Sequence, residues 1–389
     1  MTCFPLRGAV IAVLVSISFP GNVLAQTVAA SKSQTTEISF KSHDDLPMLG
    51  KLTAPNTNGP YAVVIYVQTA EGMTVDMKRP RPGGGTFNYF DLYREKLPEM
   101  GVGFFSYEGR GVNMGDAPPR YERIDRNVYN TSTLDNKVRD VLSAVDVVLK
   151  QKGVDSAKIF LMGASEGTML AAETAARAPD KVKGGLILYA VLSSTLKDML
   201  KYQAADGPFM VINAMFDTNK DGQTSSAEFE ADPGKNRATR LQNTAFDVLD
   251  ANHDGTFTAE DFRTLRKPLV DTIESDNYEG IDAWLKQTSV VDLPTGWVKD
   301  HFAHPPMWSF LSRLTIPVGL FHGTADNLAP IAGTKNLEAQ AKQAGKSNME
   351  FHYFDGLDHS LGIGNWFVRG VLPEGHKAIF EFIRVQTRG

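Results

Sequence analysis

At 389 residues the chain has room for one large α/β domain plus an insertion, or for two domains. Hydrophobic content of 42% and charged content of 22% are those of a soluble globular protein. A net charge of −5 leaves no basic patch, which argues against DNA or RNA as a partner.

The first 25 residues read as an export signal. Arg7 supplies a positive start, Gly8 to Ser18 is an apolar run of eleven residues, and Pro20-Gly21 breaks it before the small-residue site Val23-Leu24-Ala25. The run is too short to span a bilayer, so no membrane span is expected in the mature chain. The single cysteine, Cys3, leaves with the signal, and the mature chain is expected in the periplasm or the medium of a bacterium without a disulfide.

After a polar linker (26–34), Glu37–Lys41 and Leu46–Leu52 predict an antiparallel pair turning at His43-Asp44-Asp45. Tyr61–Val67 and Val102–Tyr107 are continuous apolar runs, the pattern of strands buried on both faces. Leu134–Gln151 has helical periodicity through Val138, Val141, Leu142, Val145, Val148 and Leu149. Lys158–Met162 predicts a strand and Glu166–Arg177 a helix. Gly185–Val191, Ile316–Phe321 and Met349–Phe354 complete the strands, and Glu374–Val385 is a closing helix. Such alternation implies a mostly parallel, doubly wound sheet. The core is expected in two parts, 26–193 and 312–389.

Residues 194–311 interrupt the alternation and read as a helical cap over the C-terminal edge of the sheet. Within the cap, Asp217, Asn219 and Asp221 occupy positions 1, 3 and 5 of a twelve-residue loop. Gly222 turns that loop, Gln223 offers its backbone carbonyl, Ser225 can hold a water, and Glu228 closes the shell. Asp250, Asn252, Asp254, Gly255, Thr256, Thr258 and Asp261 repeat the spacing about thirty residues on. The tandem resembles a paired EF-hand, which implies two Ca²⁺ sites. Trp284, Trp297 and Trp308, with Phe209, Met210, Met215 and Phe216, either line an acyl pocket or pack the cap on the core.

Gly163-Ala164-Ser165-Glu166-Gly167 lies between a strand and a helix. There a serine hydroxyl stands clear of the sheet with the helix N-terminus behind it. The pattern alone is weak in a chain with 34 glycines; its place at this junction gives it weight. A nucleophilic serine needs a base and an orienting acid. His359 follows the last strand and Asp326 the one before, and the order Ser165, Asp326, His359 suits this turn. His301 and His304 stand at i, i+3 without a clear third ligand, so a packing or rim role is expected. Arg79 to Gly85 lacks the Lys-Ser/Thr pair of a phosphate loop and is expected to be a flexible, solvated loop near the site mouth.

These residues resemble the α/β-hydrolase superfamily over most of the chain outside the insert. Tyr107-Glu-Gly-Arg-Gly-Val112 and the Ser-Glu-Gly elbow are similar to bacterial esterase and serine-aminopeptidase-like members. The resemblance implies an α/β-hydrolase fold and an acyl-enzyme mechanism. It also implies an oxyanion hole formed by the Glu166 N–H and by that of Ala70 or Thr69. This chain departs from the superfamily in having Gln68-Thr69 where His-Gly is usual. The expected function is ester hydrolysis on a small-molecule substrate. A peptidase acting on small peptides, or a calcium-binding protein on an inactive scaffold, are the alternatives.

Overall fold

The computed structural model describes residues 33–57, 59–81, 83–288 and 292–388. The export-signal reading therefore lies outside the described residues. Eight strands form one sheet: β1 (Ser33–Lys41), β2 (Pro47–Pro55), β3 (Tyr61–Tyr66), β4 (Gly103–Tyr107), β5 (Val154–Ala164), β6 (Gly185–Tyr189), β7 (Val318–Gly323) and β8 (Met349–Phe354). Their spatial order is β1-β2-β4-β3-β5-β6-β7-β8. β1 and β2 pair antiparallel, β2 runs antiparallel to β4, and every remaining pair is parallel.

The continuous apolar runs become strands because both faces of the sheet are covered. Helix α1 (Asp91–Glu99) lies on one face, while α2 (Leu134–Leu149) and α3 (Glu166–Arg177) lie on the other. Val63, Val64 and Ile65 of β3 have no exposed surface, and alternate residues feed two separate cores. Each such side chain contributes about 1.5–3 kcal/mol by leaving water. α2 starts where the Thr133 hydroxyl accepts the Asn136 N–H (3.2 Å), and its buried stripe runs Leu134, Val138, Val141, Val145, Val148. α1 does not follow from any motif in the sequence; it carries Pro98 in its last turn.

After β6 the chain leaves the sheet. The cap comprises α4 (Leu196–Ala204), α5 (Asp206–Phe216), α6 (Ala259–Glu274), α7 (Tyr278–Thr288) and α8 (Trp297–Phe302), with shorter turns between them. Its base joins the sheet's own core through Leu200, Ile273, Leu285 and Val298. Its outer part has a separate core of Phe216, Phe229, Phe246, Leu249, Phe257 and Phe262. Helices α9 (Ile331–Gln343) and α10 (Glu374–Arg388) complete the fold, and α10 buries Ile379, Phe380, Phe382 and Ile383 beside α1.

The segment from Arg79 to Gly85 is not the free loop expected. Lys78–Pro80 and Thr86–Asn88 pair as a hairpin. Arg79 is tied through Nη1 to the Arg120 carbonyl (2.8 Å) and approaches Glu71 (3.7 Å). Among the described residues of this segment, Pro80, Arg81 and Gly83–Gly85 are exposed, as a solvated loop would be, and Arg79 is half-buried.

Candidate active site

Parallel β5, β7 and β8 end on the same edge of the sheet, and each is followed by one of the three expected residues. Ser165 joins β5 to α3 with φ 52° and ψ −126°, a conformation an L-residue rarely adopts. The turn is this tight because small residues flank it. A Cβ on Gly163 would fall onto the Gly167 carbonyl, and one on Gly167 would lie 3.0 Å from the Gln68 carbonyl oxygen. The serine has no helix-capping role for its hydroxyl, which is left to the cavity above.

Asp326 and His359 are brought together by the turns after β7 and β8. His359 Nδ1 donates to the Asp326 carboxylate at 2.8 Å, which leaves Nε2 as the acceptor. The carboxylate also accepts the Leu328 and Ala329 N–H groups, each at 2.9 Å. Burial raises the Asp326 pKa, but the charge of His359 and the hydrogen bond from His322 outweigh it and hold the acid well below the usual carboxylate range. Burial lowers the His359 pKa, and the Asp326 carboxylate overrides that and raises it. His359 keeps 23% of its side chain exposed, while that of Asp326 is fully covered. His322 holds the aspartate turn from inside, bonding the Thr334 hydroxyl (2.7 Å) and the Ala329 carbonyl (3.1 Å). Ser165 and His359 are not hydrogen-bonded to each other, but both line one cavity.

Thr69, Ala70 and Glu166, which carry the backbone groups expected as oxyanion donors, are among the walls of this cavity. Glu166 opens α3, so its N–H has no partner within the helix. Gln68, the residue that departs from the superfamily pattern, organises the loop after β3. Its Oε1 accepts the Met73 N–H at 2.6 Å and its Nε2 donates to the Tyr107 carbonyl.

The Glu166 side chain is buried, with Lys137 Nζ (2.7 Å) and Trp297 Nε1 (3.0 Å) donating to it and His301 Nε2 lying 2.7 Å away. Burial raises its pKa, but the Lys137 ammonium and His301 outweigh that and lower it. Two helical turns along α3, Glu173 accepts His304 Nε2 at 2.8 Å. His301 and His304 thus dock the cap on α3. The sequence carried one signal for this network that the apolar periodicity passed over: Lys137 sits on the buried stripe of α2, between Leu134 and Val141. Arg110, from the segment after β4, is likewise buried. It pairs with Asp140 of α2 through Nε (2.9 Å) and Nη2 (2.7 Å).

The cavity has a volume of about 1320 Å³ and lies between the sheet edge and the cap. Ile212, Met215, Leu249, Leu265, Trp284 and Trp297 give it a mostly apolar roof. Phe209 and Phe216 belong to the cap's outer core, and Trp308 packs on the core below.

The two acidic loops fold alike. Asp217 accepts the Gly222 N–H (2.9 Å) and Asp221 N–H (3.1 Å); Asp250 accepts the Gly255 N–H (2.8 Å) and Asp254 N–H (3.1 Å). Gly222 and Gly255 have φ of 92° and 88°, which only glycine adopts freely. Thr224-Ser225 pairs antiparallel with Thr256-Phe257, joining the loops back to back. Glu228 closes the first loop on the Thr218 and Asn219 amides (3.0 and 3.2 Å), and Asp261 reaches the Asn252 amide (3.2 Å). Among the described residues no three His, Cys, Asp or Glu side chains gather as a metal cluster. The donors in each loop are all oxygen, the set a hard divalent cation takes.

Strand order, elbow and acid–base pair together define the α/β-hydrolase fold, and residues 132–245 match a family model described as alpha/beta hydrolase fold. Among solved structures, the chain is similar to the alpha/beta hydrolase GrgF from Penicillium sp. sh18, with 15% identity and a TM-score of 0.51 over 92% of this chain and 100% of that one. It is similar to an esterase of Pyrobaculum calidifontis at 15% identity and a TM-score of 0.50, covering 91% of this chain and 85% of that one. An acylaminoacyl peptidase matches at 14% identity and a TM-score of 0.50 over 92% of this chain, which spans 42% of that protein's length. No curated protein matches the chain in sequence.

Proposed function

We propose that this protein is a serine hydrolase of carboxylic esters with a large apolar acyl group. The observation that carries the proposal is the Asp326–His359 pair and the strained Ser165 opening on one apolar cavity. In this reading Ser165 Oγ attacks the ester carbonyl as His359 Nε2 takes its proton, and Asp326 stabilises the imidazolium. The Glu166 N–H and the Ala70 N–H receive the oxyanion. His359 then protonates the departing alcohol, and water attacks the acyl-enzyme by the same route. Contact of Ser165 with His359 tightens as substrate fills the cavity, a common behaviour of hydrolase sites.

An ester fits better than a peptide with a free amine. The cavity walls include two carboxylates, Glu71 and Glu166, and each is already paired, with Arg120 (2.6 Å) and Lys137 (2.7 Å) respectively. Neither is free to hold an ammonium group. Labelling by a fluorophosphonate, lost in Ser165→Ala, tests the enzyme reading. A panel of nitrophenyl esters and aminoacyl anilides tests the substrate; anilides cleaved faster than esters would replace this reading with the peptidase.

We further propose that the acidic loops are an EF-hand pair holding Ca²⁺. Asp217, Asn219, Asp221, Gln223 and Glu228 would hold one ion, and Asp250, Asn252, Asp254, Thr256 and Asp261 the other. The ions take no part in the chemistry. They would brace α5 and α6, which flank the loops and supply the cavity roof. We also propose export, on the signal-like pattern of residues 1–25, to be tested by N-terminal sequencing of the protein recovered from the periplasm or medium. Among the described residues no helix is long and apolar enough to cross a membrane.

A further inference from the structure

Lys137 lies in the first turn of α2, buried, with 6% of its surface exposed. A lysine ammonium has three protons to donate. Here all three directions are taken: Glu166 Oε2 at 2.7 Å, the Thr69 carbonyl at 3.2 Å and the Ala70 carbonyl at 3.4 Å. These three acceptors share a feature that apolar packing does not explain, because they belong to the two segments that carry the oxyanion donors.

A trans peptide is planar, with its C=O and N–H pointing in opposite directions. The Thr69 carbonyl and the Ala70 N–H belong to one such plane. Holding Thr69 O back toward α2 therefore aims the Ala70 N–H the other way, and the cationic partner polarises that peptide so that its N–H donates more strongly. The same ammonium binds the side chain of Glu166, whose own N–H is the second donor. In most turns of this kind a glycine lets the backbone find such an orientation without help. This chain has no glycine there, with Gln68 clamping the base of the loop and Lys137 clamping its tip.

We propose that Lys137 is a positioning residue of the oxyanion hole, fixing the Thr69–Ala70 peptide plane and the Glu166 turn so that both backbone donors face one point. The inference rests on the serine-hydrolase reading above. It gives the Gln68-Thr69 departure a physical consequence: what the superfamily pattern obtains from glycine, this chain obtains from a buried cation.

The test compares ester kinetics and boronic acid inhibition in wild type, Lys137→Met and the double variant Lys137→Met/Glu166→Gln. A tetrahedral boronate adduct depends on the oxyanion hole, while ground-state ester binding does not. Misaligning one donor lowers kcat by about 100-fold, the lower end for loss of an oxyanion donor. KM should stay within about threefold of wild type, and boronate affinity should fall in step with kcat. The double variant leaves no buried charge unpaired, so it separates positioning from stranded charge and serves if the single variant does not fold. It should remain at least about tenfold below wild type in kcat. Recovery to within threefold of wild type would assign the loss to the lone Glu166 carboxylate and overturn the proposal. A rise in KM with unchanged kcat overturns it equally. Wild-type protein that is not labelled at Ser165 by a fluorophosphonate sinks the hydrolase reading and this inference together; labelled wild type with an unimpaired Lys137→Met sinks the inference alone.

Discussion

The conformation of Ser165 separates what the residue does for chemistry from what it does to stability. At φ 52° and ψ −126° the backbone sits where an L-residue is strained by about 1–3 kcal/mol. Ser165→Ala removes the nucleophile but keeps a Cβ, so the strain stays. Ser165→Gly removes both. Against that relief stands the extra freedom glycine gains in the unfolded chain, about 0.5–1 kcal/mol. The glycine variant should therefore be more stable than the alanine variant by roughly 0.5–2 kcal/mol. With about 2.1 cal/mol/K of unfolding entropy per residue, that difference is a melting-temperature gap of roughly 0.6–2.5 °C in a chain of 389 residues. Both variants should lose on the order of a million-fold in turnover. Differential scanning calorimetry on the two proteins, beside nitrophenyl ester kinetics, gives both numbers. A glycine variant that melts below the alanine variant would refute the strain argument. Turnover within tenfold of wild type in either would refute Ser165 as nucleophile.

The pH profile follows from His359, which acts as a base only when neutral. Its pKa is raised by Asp326, so kcat/KM should climb with pH along a limb centred above the ordinary histidine value of about 6.5, and Asp326→Asn should move that limb down while leaving residual activity. The same pair's contribution to stability is complete below the ordinary histidine value and fades as pH rises through the raised one, a trend that urea unfolding across pH 6–9, the range proposed for that assay, would register. For the acidic loops, calorimetric titration should find two Ca²⁺ sites of about 0.1–1 mM, the second weaker because Asp261 is one methylene shorter than Glu228. Glu228→Gln should weaken ester capture more than Asp261→Asn, and absence of uptake at millimolar calcium would remove the EF-hand proposal. Ile212→Trp narrows the cavity roof and should lower kcat/KM for long-chain esters by about tenfold or more while sparing acetyl esters. Equal losses on both would show that the cap does not hold the acyl group.

Much of the fold is legible in the chain because its strands are buried on both faces. Tyr61–Tyr66 stands out as an unbroken apolar run, and Gly103–Tyr107 as one broken only by the buried Ser106, for that reason alone. The elbow is legible too, since a Cβ on Gly163 would clash with the backbone and one on Gly167 would sit tightly against it. Less visible were α1, whose apolar residues are few and whose last turn holds a proline, and the Lys78–Asn88 hairpin, stabilised by side chains distant in sequence.

By itself the sequence determined the local matters: the periodicity of strands and helices, the turn around Ser165, the order in which serine, aspartate and histidine occur, and the repeat of two acidic loops. These depend on steric and hydrogen-bonding rules that act within a few residues. Tertiary structure alone decided that Lys137, Trp297 and His301 meet at Glu166, and that helices flanking the acidic loops roof the cavity above Ser165. The reason is that a buried charge is tolerated only where partners from other elements reach it. A lysine between Leu134 and Val141 looks like an interruption of a helix face until the sheet edge and the cap bring Glu166, Thr69 and Ala70 within reach of its three protons.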